Sequence, residues 1–194
     1  MENQKHPQTN KENQLLQTAV DVKEGKRDIQ ELFNMVDSEE TALLAAKHKK
    51  ILQLADVHGK AVAHVAARHP SAALKIIRSH PELLKLSDKD GWTVAHIAAC
   101  HPSAALEITK SHPEYLKLSD KEGITVAHIA ARHPSVALEI LRSHPELFKG
   151  KHGESLMYRI RDIHPEIVNT EEFQKAVLIC NEYLGYVLLE RLRK

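Results

Sequence analysis

The chain has 194 residues, 42% hydrophobic and 27% charged, and its 27 basic and 26 acidic residues leave a formal charge of +1. That length suits one compact domain or one short repeat array. So even a charge balance gives no bulk attraction to nucleic acid or to an anionic membrane, and no apolar run is long enough for a transmembrane helix.

In chain order, residues 1–10 are polar, lack the apolar stretch of a secretory leader and are expected to be a disordered tail. The segments 11–22 and 27–36 read as helices separated by a break at Gly25, so residues 11–53 are taken as N-terminal helices and a degenerate capping repeat. Three repeats occupy residues 54–149, and a degenerate repeat followed by a C-terminal capping helix fills 150–194. In that last segment Asn169 or Thr170 is placed to cap a helix reaching about Arg191. Its apolar stripe is Phe173, Val177, Cys180, Leu184, Val187 and Leu188. The stripe reads as a cap on the array, with a separate partner-binding helix as the alternative. Cys100 and Cys180, without CxxC spacing, read as free thiols of a reducing compartment, and the expected location is cytoplasmic.

The repeats carry the most information. Leu54, Leu86 and Leu118 open units of 32 residues, and the second and third units agree at 24 of 32 positions without a gap. The phase continues upstream through His48, Leu52, Asp56 and Gly59, and downstream through Gly153, Ser155 and Leu156. There His164-Pro165 matches His133-Pro134 after one inserted residue. Arrays need atypical terminal units because the end units face water.

Within a unit, Ser87–Gly91 reads as a turn whose Asp caps backbone and whose Gly supplies a positive φ. Thr93 suits an N-cap ahead of Val94-Ala95-His96-Ile97-Ala98-Ala99, with His96 at the position where a capping box places Glu or Gln. Pro102 is expected to end that helix and to open a second one, over roughly residues 102–111, that turns Ala105, Leu106 and Ile108 to the core. Pro113 closes the second helix and starts a short third turn. No alternation of strand period is present, so the expected class is all-α.

The run Asp88-x-x-Gly91-x-Thr93-Val94-Ala95-His96-x-Ala98-Ala99 resembles the ankyrin consensus D-x-x-G-x-T-P-L-H-x-A-A. It recurs from Asp120 to Ala131 and, more weakly, from Asp56 to Ala67. Val-Ala stands in place of Pro-Leu, the unit is one residue shorter than the usual period of about 33, and His-Pro stands where the inter-helix turn normally has Gly. The resemblance implies an ankyrin-like solenoid of helical hairpins with helical caps at both ends, acting as a non-enzymatic scaffold for a partner protein. It also implies contact through loop tips and the exposed side of the first helices. Those motif positions are Val57, His58, Lys60, Arg68 and His69, then Lys89, Asp90, Trp92, Cys100 and His101, then Lys121, Glu122, Ile124, Arg132 and His133. Trp92 stands out among them. It sits where the sister units have Lys60 and Ile124, so the core does not require an indole there, and tryptophan is enriched among binding hot spots.

Of the 14 histidines, 11 lie in repeated contexts. Such a row invites a histidine-dependent metal enzyme, because imidazole is a common ligand and general base. In-phase residues of stacked units, however, stand about one helix spacing (8–10 Å) apart, whereas two ligands of one zinc each lie about 2 Å from it. The histidines therefore form a ladder, and no catalytic residue, metal ligand or cofactor is expected. By the resemblance, His96 pairs with Thr93 and His128 with Thr125, while His64 faces Ala61; the His-Pro histidines read as caps or loop residues. The eight positions that differ between the second and third units mark where the scaffold is indifferent. A monomer is expected, with a self-assembling structural protein as the alternative to a scaffold. The short array also permits a bacterial effector delivered into a host cell.

Overall fold

A computed structural model gives the fold of residues 7–149 and 152–192, with side chains described for 8–149 and 152–183. The chain is all-α: among the described residues there are helices and 3-10 turns, three isolated β-bridges and no strand. No helix there is long and apolar enough to cross a membrane. Two compact units, 1–104 and 105–194, divide the chain within one helix, Pro102–Ser111.

The first unit opens with α1 (Pro7–Lys23), α2 (Ile29–Val36), α3 (Glu39–Ala45) and α4 (Lys49–Leu52). The sequence placed residues 7–10 in a disordered tail; they are the first turn of α1, while 1–6 lie outside the described residues. Proline is tolerated at a helix start because its missing N–H would have had no partner there. α1 buries Leu15, Thr18 and Ala19, and Glu12 Oε1 meets His48 Nε2 at 2.8 Å. That bond holds the Glu12 carboxyl below its usual range. Asp28 caps α2 through the amide of Gln30, and Ser38 caps α3 through that of Thr41.

Then come α5 (Val62–Ala66), α6 (Pro70–Ser79), a 3-10 turn over Pro81–Lys85, and α7 (Val94–Ala98). Within this unit α2 packs on α3 and α5, α3 on α6, and α5 on α7. The five-residue helices α5 and α7 end at Ala66 and Ala98, with Ala67 and Ala99 as C-caps, ahead of the proline. Proline therefore does not terminate them as expected; it occupies the first position of the next helix, and His69 before it is extended as pre-proline sterics require.

α8 (Pro102–Ser111) is followed by a 3-10 turn over Pro113–Lys117, α9 (Val126–Ala130), α10 (Pro134–Ser143), a 3-10 turn over Pro145–Lys149, and α11 (Gly153–Ile163). A last 3-10 turn, Pro165–Ile167, leads to α12 (Glu171–Leu192). The buried face of α8 is Ala104, Ala105, Ile108 and Thr109; Leu106, expected in the core, is half-buried. In the second unit α12 packs on Pro145–Lys149, α10 and α11. Thr170 Oγ1 takes the amide of Phe173, so of the two candidate caps it is Thr170 that acts. Phe173, Ala176 and Cys180 are buried, whereas Leu184, Val187 and Leu188 lie outside the described side chains.

The glycines that share a place in the repeat do not all do the same work. Gly59, Gly91 and Gly123 have φ of 75°, 87° and 85°, as the turn requires. Gly153, in phase with them by sequence, is instead the first residue of α11. It is needed there because a Cβ would lie 2.4 Å from Phe148 O.

Gly25 and Gly59 both have positive φ, but a Cβ at Gly25 meets nothing within 4 Å while one at Gly59 lies 3.2 Å from Ser87 O. Gly25→Ala should therefore cost about 1 kcal/mol from backbone strain alone, and Gly59→Ala clearly more. Urea melts of the two variants check this; equal losses would mean that close contact between neighbouring turns has no part in stability.

Candidate functional site

The surface singled out by sequence is built on three copies of one turn. In each, a single aspartate organises the backbone. Asp56 Oδ1 accepts from the amides of His58 and Lys60 at 2.8 and 2.9 Å, and Asp88 Oδ1 accepts from those of Asp90 and Trp92 at 2.9 and 3.0 Å. Asp120 does the same for Glu122 and Ile124, at 2.9 Å each. The bridges Ala55–Ala61, Ser87–Thr93 and Ser119–Thr125 close the turns. In the first unit the Lys89 amide donates to His58 O at 2.8 Å, which joins two successive turns.

The motif histidine fixes the start of each short helix. His96 Nδ1 accepts from the Thr93 amide at 3.2 Å and lies 2.8 Å from Thr93 Oγ1; His128 repeats this with Thr125 at 3.2 and 2.6 Å. Each threonine hydroxyl in turn meets the histidine amide at 3.4 Å, completing a reciprocal cap. His64 Nδ1 accepts from the Ala61 amide at 3.0 Å, with no hydroxyl beside it.

An amide nitrogen can only donate, so Nδ1 is the acceptor and Nε2 carries the hydrogen. His64 Nε2 accordingly donates to Trp92 O at 3.2 Å, and His128 Nε2 donates to Ser155 Oγ at 2.8 Å. Ser155 passes its own hydrogen to His152 O at 3.0 Å. The Ser155–His128 pair has the spacing of a nucleophile and base but the opposite polarity: the imidazole offers the serine a hydrogen rather than a lone pair. Among the described residues, no three His, Cys, Asp or Glu side chains gather as a metal site would need.

The His-Pro histidines sit at helix starts but make no side-chain cap there. Of the two expected roles, cap or loop residue, they take the second, lying outside the helices, and three of them reach back to carbonyls of the preceding hairpin. His101 Nε2 donates to Ala67 O at 3.2 Å, His164 Nε2 to Ala131 O at 2.9 Å, and His144 Nε2 to Thr109 O at 2.9 Å.

These bonds sort the predicted contact residues. Val57 (95% exposed), His58, Lys60, Lys89 and Asp90 lie on two joined turns of the first unit, with Trp92 half-buried beside them, its ring 5.4 Å from that of His96. Lys121 and Glu122 are exposed and Ile124 half-buried on the corresponding turn of the second unit. Arg68, Cys100 and Arg132 are exposed, but in the bends after the short helices rather than on their sides. His69, His101 and His133 are half-buried, and His101 is committed to Ala67 O, so it belongs to the frame.

Sequence reasoning read 27–36 as a helix but did not place α2 in the candidate surface. Phe33, Asn34 and Asp37 share a groove of about 190 Å3 with Lys60, Val65 and Arg68. Nothing in α2 follows the repeat; only its buried Leu32, Phe33 and Val36 marked it as an amphipathic helix facing the array. No protein-family model matches the chain, and no curated protein matches it either.

Ala61 stands where the sister units have a capping threonine, so Ala61→Thr should stabilise the chain by about 1 kcal/mol, read as a raised melting temperature. Thr93→Ala should cost a similar amount. Burial holds the His64 imidazole below its ordinary pKa of 6.5. Its contribution to stability is therefore full above pH 6.5 and is lost as pH falls from there toward its folded-state value. Melting temperatures at successive pH values should fall less on acidification in His64→Gln than in wild type; parallel curves would remove His64 from the acid response.

Proposed function

We propose that the chain is a non-enzymatic scaffold of stacked ankyrin-like hairpins that binds a partner protein through its turn tips and the bends after its short helices. One observation supports this reading above the others: the residues that resemble a reaction centre are spent on the frame, while the variable residues beside them are exposed. Asp88 Oδ1, Thr93 Oγ1 and His96 Nδ1 are committed to backbone and to one another. On the same turns Val57, His58, Lys60, Lys89 and Asp90 face solvent.

The eight differences between the second and third units refine the proposed surface. Asp90/Glu122, Cys100/Arg132 and Lys110/Arg142 are exposed in both units, and Trp92/Ile124 is half-buried in both. Ala104/Val136, Thr109/Leu141 and Leu116/Phe148 are buried in both, so those differences answer to core packing and leave the contact surface. Tyr115 is half-buried and Leu147 buried, which places that pair with the core as well.

Trp92→Ile installs the residue that the sister unit carries and preserves an apolar group against His96. With a partner captured on immobilised wild-type chain, this variant should bind at least ~30-fold more weakly, the ~2 kcal/mol of a hot spot, at an unchanged melting temperature. Retained affinity, or a fall in melting temperature that accounts for the loss, would remove Trp92 from the contact surface.

A further inference from the structure

We infer that the groove between α2 and α5 takes an acidic segment of the partner, with Lys60 and Arg68 receiving its carboxylates; this rests on the scaffold reading above and deepens it. The groove is walled by Gln30, Asn34 and Asp37 and floored by Phe33 and Val65, both buried. Lys60 Nζ stands 5.5 Å from the centroid of the Phe33 ring, so its ammonium is held over the groove by the ring face. The one carboxylate in the lining, Asp37, contacts Arg68 Nη1 at a long 3.4 Å, with both side chains more than half exposed. A pair of that kind is weak and exchanges readily with a better-placed carboxylate. Two cations thus face one carboxylate in a groove whose remaining polar walls are the amides of Gln30 and Asn34, which bond each other at 3.0 Å.

The repeat itself does not ask for these charges. Lys60 aligns with Trp92 and Ile124, and Arg68 with Cys100 and Arg132, so the turn and the bend form without a cation at either position. Arg132 puts a base at the second position in the third repeat too, but bases at both positions together occur only in the repeat that α2 adjoins. Guanidinium and ammonium groups paired with carboxylate make the stronger class of hydrogen bond, and Arg68 keeps most of its fork free of Asp37 for that purpose.

Because the formal charge of the whole chain is only +1, bulk attraction to a polyanion is small and a local response is diagnostic. The probe is a short capped polyglutamate peptide, added to isotope-labelled full chain at about 20 mM salt and again at about 200 mM. Backbone amide shifts should cluster at 30–37 and 60–68 and weaken at the higher salt. Lys60→Gln/Arg68→Gln should reduce affinity about tenfold, whereas Lys60→Arg/Arg68→Lys, which keeps both charges, should retain most of it. Lys117→Gln/Lys149→Gln, exposed in the second unit and outside the proposed contact surface, should leave it unchanged. Polyglutamine of the same length should not bind.

Equal loss in the Lys117/Lys149 control, binding of polyglutamine, or tighter binding of a single-stranded oligonucleotide at the same residues would each overturn the inference. If polyglutamate leaves the groove unperturbed while Trp92→Ile still weakens the captured partner, the acidic segment is refuted and the scaffold reading stands. If Trp92→Ile also leaves capture intact, both fall.

Discussion

The frame depends on an imidazole used at both ends. A helix of five residues does not form by itself in water, because nucleation fixes several residues before any propagating bond is gained. α5, α7 and α9 are all of this length. Each is started by a histidine whose Nδ1 accepts the N-cap amide. In α5 and α9 the opposite edge of the same ring donates outward, to Trp92 O and Ser155 Oγ. The bond that starts the helix and the bond that joins hairpins therefore share one aromatic ring, and neither can break without freeing a polar atom in the interior. The rings are buried, with His64, His96 and His128 no more than 2% exposed. Leaving a buried donor or acceptor unpaired costs about 1–3 kcal/mol, comparable to everything such a short helix could gain from its own hydrogen bonds.

The same geometry explains what could be read in the sequence and what could not. The turn, the short helix and the His–Thr cap were legible because each is local: Asp, Gly, Thr and His act within three or four residues of where they stand. The boundaries of α6 and α10 were legible because proline sits at their first position. What the His-Pro histidines bind was not legible, because the partners, Ala67, Ala131 and Thr109, are backbone carbonyls more than thirty residues upstream. A carbonyl has no residue identity, so no motif announces it. The role of Gly153 was hidden for a related reason. Its phase matched the turn glycines, but what requires it is the carbonyl of Phe148, brought close only by the fold.

The exposed surface was partly legible. Comparing the two most similar units found the turn positions correctly, yet it also returned residues of the core. Ala104, Thr109 and Leu116 become Val136, Leu141 and Phe148, and every one is buried. Each change enlarges the side chain, so the two cores differ in volume while the backbone elements keep the same lengths. Thr109 also satisfies its hydroxyl on Ala105 O at 2.8 Å, a bond that Leu141 neither needs nor can make. Variation inside one chain thus marks tolerance, and tolerance has two physical sources: solvent on one side, or neighbours that adjust together on the other. Only burial separates them, and burial is not in the sequence. α2 shows the converse, since its groove residues fall outside the repeat altogether and nothing in the comparison could have found them.

The start of the regular array bears on the acidic-segment inference. Among the described residues, His69 Nε2 and His80 Nε2 are buried without a hydrogen-bond partner, while their counterparts His101 and His144 each hold a carbonyl. In this first repeat the histidine Nε2 bonds to the preceding hairpin are therefore missing. The junction is closed by side chains instead: Glu39 accepts the Ser71 amide at 2.9 Å at the head of α6, and Asp37 reaches Arg68. Bonding to Ser71 lowers the pKa of Glu39, so this carboxylate is firmly engaged. Asp37 is not, because it is exposed and its contact is long. Of the two acidic residues that stitch α2 and α3 to the first full repeat, one is structural, and the other occupies the position that an incoming carboxylate would take. At this irregular end of the array Asp37 holds Arg68 only by a long, exposed contact, and a groove formed there can differ in chemistry from the regular turns without disturbing the ladder.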